Sequence, residues 1–258
     1  MRVNEVLDGL SCFSLKTISL GLRRPSELPR YVSYCAKKYD ELVGNGLPCR
    51  SPLTPAENLT ITIPAHHAGG GMSFVELVIL ARVTKALKPR TIFEVGSYNG
   101  LTTAVFVLNS AEDAQIVTLD LPPGAGGDQA SLTSDKELVA SRHPASVPQA
   151  LGLRRYTQLL CDSMAFDPSP YLNSVDLGLI DGAHDMAHVQ NDTLKVSRMM
   201  SDCGIVFWHD YGGKGAFRPL ASYLESLAKR CPLYRIRDTS LAWAPAGGLK
   251  GATQETGN

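Results

Sequence analysis

The sequence predicts an α/β fold with a doubly wound sheet, in which mostly parallel strands are covered by helices on both faces. Short apolar runs recur at 91–95, 175–181 and 204–210, and each is close to continuously hydrophobic, as strands buried on both faces require. Stretches with apolar residues at helical spacing, such as 101–111 and 187–200, follow the first two of these runs. A repeated order of strand and helix is typical of a parallel sheet with crossover connections.

The composition allows one large folded unit and limits the class of partner. The chain has 258 residues, of which 44% are hydrophobic and 19% are charged, which is enough for one main core. Lys plus Arg and Asp plus Glu both number 25, so the overall field does not favour nucleic acid or anionic lipid. We therefore expect a small molecule or another protein as the partner, and neither nucleic acid nor a membrane.

The six cysteines are spread along the chain without a CxxC pair or a tight cluster. This spacing argues against a structural zinc site and against a disulfide framework. A reducing, cytoplasmic environment fits such cysteine usage best.

Residues 1–72 are irregular and are predicted to form an N-terminal helical cap. The first apolar stretch carries Asp8 and Lys16, so it lacks the uninterrupted hydrophobic core of a signal peptide and is too short for a membrane span. A short helical pattern near 31–42 is bounded by Pro and Gly. The segment is a candidate packing element, including for a homo-oligomer.

A regular domain is predicted over residues 73–246. Its first helix begins after Ser73, because Glu76 stands three residues later, as in a capping box, and apolar residues follow at helical spacing. Two short runs near the end predict an antiparallel hairpin at the sheet edge. The tail, 247–258, is polar and Gly-rich and is expected to be disordered. The predicted strands are 91–95, 115–120, 155–160, 175–181, 204–210, 233–238 and 240–246.

The first strand ends in the stretch EVGSYNG, residues 94–100, which is typical of a ligand-binding turn. Gly96 and Gly100 let backbone N–H groups approach a ligand with no Cβ in the way. Asp120 ends the next strand about 20 residues further on, where an acid can accept both hydroxyls of a ribose. Glu94 would repel a pyrophosphate and suits a cationic group, which makes a nicotinamide dinucleotide the weaker choice. The alternative is that the glycines only make a tight turn.

Through EVGSYNG, Asp120 and the CDS at 161–163, the sequence over about residues 70–245 resembles the S-adenosylmethionine-dependent methyltransferases with a Rossmann-like, seven-stranded sheet. The resemblance implies that S-adenosylmethionine is the cofactor and that its adenine, ribose and methionine parts meet different residues. Asp162 has an alternative as the cap of an ordinary turn. The residues implied are Glu94, Gly96, Tyr98 and Thr102 around the methionine part, Asp120 at the ribose, and Asp162 with Ser163 at the adenine, with Gly100 as a further cofactor-binding residue of the turn.

A loop before the first helix is a further candidate for cofactor contact. The stretch 64–74 holds His66, His67 and three glycines, and related enzymes fold a segment over the cofactor at this place. Met72 would pack there against the cofactor. A plain flexible loop is the alternative.

Polar side chains follow the fourth and fifth predicted strands, in the stretches LIDGAHDMAH and VFWHDYGGKG. Asp181, His184, His209 and Asp210 are expected to converge, because the carboxyl ends of neighbouring parallel strands meet at one edge of the sheet. Four ionisable groups in one place are costly unless a cation, a substrate or mutual hydrogen bonds satisfy them. The alternative is a structural strand end.

These residues resemble those of the metal-dependent small-molecule O-methyltransferases of the catechol and macrolide-sugar types. The resemblance implies that Asp181, His209 and Asp210 bind a divalent metal, Mg²⁺ or Mn²⁺, and that His184 is the catalytic base. His209 departs from the pattern, which has an oxygen ligand there, so either the metal differs or His209 is not a ligand. A metal-free reaction with His184 or His209 as base stays open.

The sequence therefore predicts a methyltransferase that uses S-adenosylmethionine to methylate a hydroxyl of a small molecule, such as a sugar, a polyketide or a phenol. The N-terminal segment and the connection 121–154 would select the acceptor. Lys214 is a candidate for binding an anionic substrate group, although a solvated lysine is the alternative. A non-catalytic nucleoside-binding protein of the same fold is the rival of another class.

Overall fold

The structure is a computed structural model of the chain, and it divides into two compact units, Met1–Cys49 and Arg50–Asn258. The predicted N-terminal cap and its part in a homo-oligomer lie largely outside the described residues. The residues that the structure describes are 46–53, 59–65, 71–123, 143–212 and 217–254.

The second unit begins at Arg50, earlier than the predicted domain boundary at residue 73. Residues before the first helix are tied to the sheet, because Trp243 Nε1 donates to the carbonyl of Arg50 at 2.8 Å. The backbone N–H of Thr62 donates to Asn109 Oδ1, also at 2.8 Å. Of the described residues between Cys49 and the first helix, Arg50 and Thr62 therefore contact the main domain directly.

Seven strands and six α-helices form the described part of this unit, in the alternating order that the sequence predicts. The strands are β1 (Thr91–Val95), β2 (Gln115–Asp120), β3 (Thr157–Leu160), β4 (Val175–Ile180), β5 (Met200–Trp208), β6 (Tyr234–Arg235) and β7 (Ala242–Pro245). The helices are α1 (Phe74–Leu87), α2 (Leu101–Asn109), α3 (Ser146–Ala150), α4 (Met186–Met199), α5 (Arg218–Leu227) and α6 (Ala246–Gln254). None of these described helices has the length and apolar character needed to cross a membrane.

The strands form one sheet in the order β3-β2-β1-β4-β5-β7-β6. The first five strands are parallel, whereas β7 runs antiparallel to β5 and to β6. The predicted mostly parallel sheet with an antiparallel C-terminal edge pair is thus confirmed. The chain reverses direction across the sheet between β1 and β4, the switch point at which open α/β sheets bind ligands.

Helices cover both faces of the sheet, which explains why the central strands are hydrophobic throughout. All five residues of β1 are buried. Ile92 belongs to a core cluster that includes residues of α1 and α2. Phe93, which points to the opposite face, has its ring centroid 5.1 Å from that of Tyr171.

The stretch 247–258 was predicted to be disordered, and this prediction is wrong for its first part. Residues Ala246–Gln254 form helix α6, which packs against β5, β7 and α4. Leu249 and Ala252 are buried, and Thr253 Oγ1 lies 2.9 Å from Ser197 Oγ. One face of α6 is therefore apolar or hydrogen-bonded, although the glycine content of the segment hides this pattern in the sequence.

Candidate active site at the carboxyl edge of the sheet

The candidate site lies where three central strands end side by side. Val95 of β1 pairs with Ile180 of β4, and Ile180 pairs with Trp208 of β5, so the three strands end at one level. The next residues along the chain are the glycine turn after β1, Asp181 after β4, and His209 and Asp210 after β5. The pairing thus brings the predicted polar strand ends to one edge.

The glycine turn after β1 has the backbone shape that the sequence predicts. Gly96 has φ 86° and Gly100 has φ 81°, a region that favours glycine, and Tyr98 lies there too with φ 50°. A Cβ on Gly96 would collide with the backbone oxygen of Asp181, and one on Gly100 would come within 2.7 Å of Pro148. These two glycines therefore allow the turn to pack closely against other parts of the protein, Asp181 and Pro148.

Asp120 lies under this turn with both carboxylate oxygens engaged. Its Oδ2 accepts hydrogen bonds from the N–H of Ser97 at 3.1 Å, from Ser97 Oγ at 2.9 Å and from the N–H of Tyr98 at 2.9 Å. Its Oδ1 accepts one from the N–H of Leu121 at 2.7 Å. Asp120 therefore fixes the turn, and its part in binding a ribose stays a prediction.

Glu94 is a buried carboxyl group beneath the turn, and it is only 1% exposed. Thr103 Oγ1 donates to its Oε2 at 2.5 Å, whereas its Oε1 has no hydrogen-bond partner among the described residues. Burial raises the pKa of Glu94 to about 8, and the charges of Asp181 and Asp120 add to this. Without a cation nearby, Glu94 is therefore mostly protonated at neutral pH, and its predicted negative charge appears only when a cation offsets the burial.

The remaining residues predicted around the cofactor have mixed surroundings. Thr102 is buried in the first turn of α2, and Met72 is buried in the hydrophobic core. Asp162 Oδ1 accepts from the N–H of Met164 at 2.8 Å, which is the turn geometry named as its alternative. The carbonyl of Ser163 accepts from Lys195 Nζ at 2.7 Å. Contact of these four with a cofactor stays a prediction.

Beside the turn, three side chains of the polar strand ends come together. Asp181, His184 and Asp210 each offer one ligand atom, and these atoms all lie within 4.8 Å of one another. His184 Nε2 lies 3.0 Å from Asp210 Oδ2, and the rings of His184 and Phe217 are nearly perpendicular, with their centroids 4.7 Å apart. Asp210 has φ 61°, an uncommon backbone conformation for a residue with a side chain. The cluster has the donor set of a site for a hard or borderline divalent cation.

His209 lies beside Asp181 and Asp210, as the sequence predicts, and also beside Glu76, which the sequence did not predict. Its Nδ1 lies 3.0 Å from Asp181 Oδ1 and 3.2 Å from Asp210 Oδ2, and its Nε2 lies 3.3 Å from Glu76 Oε2. Although burial opposes the charge, these carboxylates raise the pKa of His209 well above its usual range. The predicted ligands Asp181, His209 and Asp210 thus lie together, and His184 also comes close to the two aspartates. Binding of a metal by these residues stays a prediction.

The two aspartates differ in their surroundings. Burial raises the pKa of Asp181, and the nearby His209 only partly offsets this effect. The pKa of Asp210 is lowered despite burial, because His184 and His209 both hydrogen-bond to it. Asp210 is therefore the more firmly ionised of the two, and it is the one beside His184.

Glu76 is the residue of this region that sequence reasoning missed. The predicted capping box is present, since Ser73 N donates to Glu76 Oε2 at 2.8 Å. The same carboxylate also accepts from the N–H and the hydroxyl of Ser240, at 2.6 and 2.7 Å, and it faces His209. Glu76 is only 4% exposed, whereas a capping residue at the surface would be largely solvated. The sequence pattern around Glu76 does not indicate this burial.

Other residues singled out in the sequence lie away from the cluster or outside the described residues. His188 is half-buried, and its Nδ1 lies 2.6 Å from Asp185 Oδ2 at the start of α4. His66, His67 and Lys214 belong to stretches that are not described, as does most of the connection 121–154.

Comparison with known proteins agrees with this architecture. Residues 93–211 match a family model described as a methyltransferase domain. No functionally curated protein matches the sequence of the chain.

Several solved structures have a fold similar to that of this chain. Cofactor-bound Rv0187 from MTB has 17% identity and a TM-score of 0.52, covering 70% of this chain and 83% of that one. A putative caffeoyl-CoA O-methyltransferase from Staphylococcus aureus has 11% identity and a TM-score of 0.51, covering 92% and 98%. SAH-bound methyltransferase PaMTH1 from Podospora anserina has 14% identity and a TM-score of 0.50, covering 66% and 77%. The predicted resemblance to the Rossmann-like methyltransferases is confirmed for the fold and the matched domain.

Proposed function

We propose that this chain, whose residues 93–211 match a family model described as a methyltransferase domain, transfers the methyl group of S-adenosylmethionine to a hydroxyl of a small molecule. The observation that carries the proposal is the place of the Asp181, His184 and Asp210 cluster, directly beside the glycine turn at the switch point of the sheet. A methyl donor bound at the turn and a hydroxyl bound at the cluster would lie next to each other. Sugars, polyketides and phenols are the acceptor classes proposed.

The surroundings of the turn fit a donor that carries a positive charge. S-adenosylmethionine supplies an electrophilic methyl group on a sulfonium ion. Glu94 has one buried oxygen without a partner among the described residues, and a cation near the turn would favour its ionised form. Asp120 and the pair Asp162 and Ser163 are the proposed contacts of the ribose and the adenine.

His184 is the proposed catalytic base. Its Nε2 lies 3.0 Å from the ionised Asp210, which orients the ring and stabilises the positive charge that the ring gains with a proton. Phe217 packs its ring against His184 and limits the positions that the imidazole can take. The opposite ring nitrogen, Nδ1, would take the proton of the acceptor hydroxyl as the oxygen gains the methyl group.

The cluster also fits a divalent metal, Mg²⁺ or Mn²⁺, held by Asp181 and Asp210. When bound, such an ion lowers the pKa of a hydroxyl and favours its ionised form. His209 is the third ligand that the family resemblance implies. Because both of its ring nitrogens face carboxylates, we assign the ion to the two aspartates alone.

A metal-independent reaction is a second candidate, and the position of His209 favours it. An imidazole that lies 3.0 and 3.2 Å from two aspartates, with a third carboxylate behind it, already brings a positive charge into the cluster. In that case the pair of His184 and Asp210 acts without an ion.

The test measures methyl transfer from radiolabelled S-adenosylmethionine to a panel of sugar, polyketide and phenol hydroxyls. His184→Gln should lower the rate at least about 100-fold, because general-base catalysis contributes that much, while S-adenosylhomocysteine binding is kept. His188→Gln is the matched control and should change neither quantity. EDTA followed by Mg²⁺ or Mn²⁺ separates the metal-assisted form from the metal-independent one.

Two results would count against the proposal. A wild-type protein that binds S-adenosylhomocysteine tightly but turns over no hydroxyl of the panel would be a nucleoside-binding protein of the same fold. Preferential binding of NAD in calorimetry would overturn the donor itself.

A further inference from the structure

The loop after β3 is bound by polar side chains of α4. The carbonyl of Ser163 accepts from Lys195 Nζ at 2.7 Å and from Asn191 Nδ2 at 3.0 Å. Lys195 Nζ also donates to the carbonyl of Met164 at 2.8 Å. Asn191 is fixed in turn, because its Nδ2 donates to Oδ1 of the buried Asp192 at 2.8 Å. Two side chains one helical turn apart therefore hold the same carbonyl group.

The peptide group that they hold also faces Asp162. In a trans peptide the C=O and the N–H point in opposite directions, so fixing the carbonyl of Ser163 fixes the N–H of Met164. That N–H donates to Asp162 Oδ1 at 2.8 Å. A cation at the carbonyl also polarises the peptide, which strengthens the hydrogen bond that the N–H donates. Lys195 and Asp162 are therefore linked through one peptide group.

Asp162 has a second carboxylate oxygen that can meet a ligand. Among the described residues only its Oδ1 accepts a hydrogen bond, and the residue is half-buried just after β3. A carboxylate oxygen accepts from the exocyclic amino group of adenine, whereas hypoxanthine would present a carbonyl oxygen, another acceptor, at the same place. The orientation of the Asp162 carboxylate therefore affects how well such a contact distinguishes the two bases.

We propose that Lys195, with Asn191, is a positioning residue that orients Asp162 through the peptide between Ser163 and Met164. It thereby sets the preference of the site for a purine with an exocyclic amino group over one with a carbonyl in that position. The inference rests on the proposed function, because that function makes Asp162 a contact of the adenine.

The first measurement is calorimetric binding of S-adenosylhomocysteine and of S-inosylhomocysteine, which carries hypoxanthine in place of adenine, to the full-length chain. The wild type should bind the adenine form at least about tenfold more tightly. Lys195→Met keeps the apolar stem and removes the ammonium, so it should lower this preference at least about threefold. Lys195→Arg keeps donors for the carbonyls and should retain the preference. Arg198→Met removes an exposed charge of the same helix and is the matched control, with no change expected.

Two further variants separate positioning from simple loss of structure. Asn191→Ala removes the second donor to the Ser163 carbonyl and should lower the preference in the same direction, which keeps the test valid if Lys195→Met does not fold. Adding Lys195→Met to Asp162→Ala should change the preference no further, because the group that Lys195 orients is then absent. A loop that is only destabilised would bind both ligands more weakly by the same factor.

The second measurement needs no ligand. Hydrogen exchange of the Met164 N–H, followed by NMR in the full-length chain, reports its bond to Asp162. Lys195→Met and Asp162→Ala should each speed this exchange at least about threefold. Arg198→Met should leave it unchanged.

An unchanged preference in both Lys195→Met and Asn191→Ala, or an equal weakening of both ligands, would overturn the inference. A wild type that binds the two ligands alike would remove the adenine contact of Asp162 and the inference with it, while the donor of the proposed function stands. A wild type that binds neither ligand would remove the proposed function itself. The exchange of the Met164 N–H then decides the link between Lys195 and Asp162, which an unchanged rate in Lys195→Met overturns and a faster rate supports.

Discussion

His184 of the cluster and its neighbour His209 differ in their ability to accept a proton, because the groups around their ring nitrogens differ. His209 meets a carboxylate at each ring nitrogen, and although burial opposes the charge, these carboxylates raise its pKa well above the usual range. His184 lies beside Asp210 at Nε2, and its ring packs nearly perpendicular to that of Phe217. A histidine whose pKa is raised in this way is a poorer acceptor for a substrate proton, so of the two His184 has the surroundings better suited to a base.

Glu94 gives the first prediction, which concerns pH and stability. Its pKa is about 8 in the folded protein, above the ordinary value of 4.5. Between these values the unfolded chain has lost the proton that the folded chain still holds, so the folded state loses relative stability as the pH rises towards 8. Glu94→Gln cannot ionise and removes this loss.

We therefore expect the free energy of unfolding of Glu94→Gln, relative to the wild type, to rise by ~3 kcal/mol from pH 5.5 to pH 8. Urea unfolding of both proteins at the two pH values measures it. Two curves that stay parallel across this range would show that Glu94 ionises normally in the folded chain.

At the scale of the elements, the convergence of the site could be predicted, whereas its contacts could not. The nearly continuous apolar runs of β1, β4 and β5 identify parallel central strands, and their carboxyl ends must then meet, which places Asp181 and Asp210 together. The contact of Glu76 with His209 joins residues 133 positions apart and depends on side-chain rotamers. No periodicity in the sequence encodes such a contact. Helix α6 was missed for another reason, because its glycines resemble a flexible tail.

The turn after β1 gives the second prediction. Gly96→Ala places a Cβ against the backbone of Asp181 at φ 86°, where neither atom can move cheaply. We expect a loss of more than ~3 kcal/mol in unfolding free energy, together with loss of S-adenosylhomocysteine binding.

Gly152→Ala is the matched control for this turn. Gly152 also has positive φ, at 68°, but no atom lies within 4 Å of the Cβ position. Its cost should be ~1 kcal/mol, the conformational part alone. Equal losses in the two variants would mean that the contact with Asp181 is not tight.

The seven strands form one sheet, and the apolar side chains on both of its faces have to be buried by helices along the full width of the sheet. Helix α6 supplies part of this cover by packing against β5 and β7, and it also contacts α4. The antiparallel β7 and β6 then close the edge beyond β5. A segment that the composition describes as a tail is thus part of the cooperative unit.

Leu249 in α6 gives the third prediction. The side chain is fully buried, so Leu249→Ala should lower the free energy of unfolding by about 2–4 kcal/mol. Lys250→Ala, which removes an ion pair with the exposed Asp202, should cost less than about 1 kcal/mol. Chemical denaturation measures both, and a Leu249→Ala variant as stable as the wild type would mean that α6 does not pack as described.

The engaged state of Asp120 has a consequence for how fast a nucleoside is captured. Oδ2 of Asp120 accepts from the loop between β1 and α2, and Oδ1 accepts from the N–H of Leu121, directly after β2. A ribose bound at Asp120, as proposed, would have to share or displace those bonds, so its capture would include a local rearrangement and would be slower than simple collision.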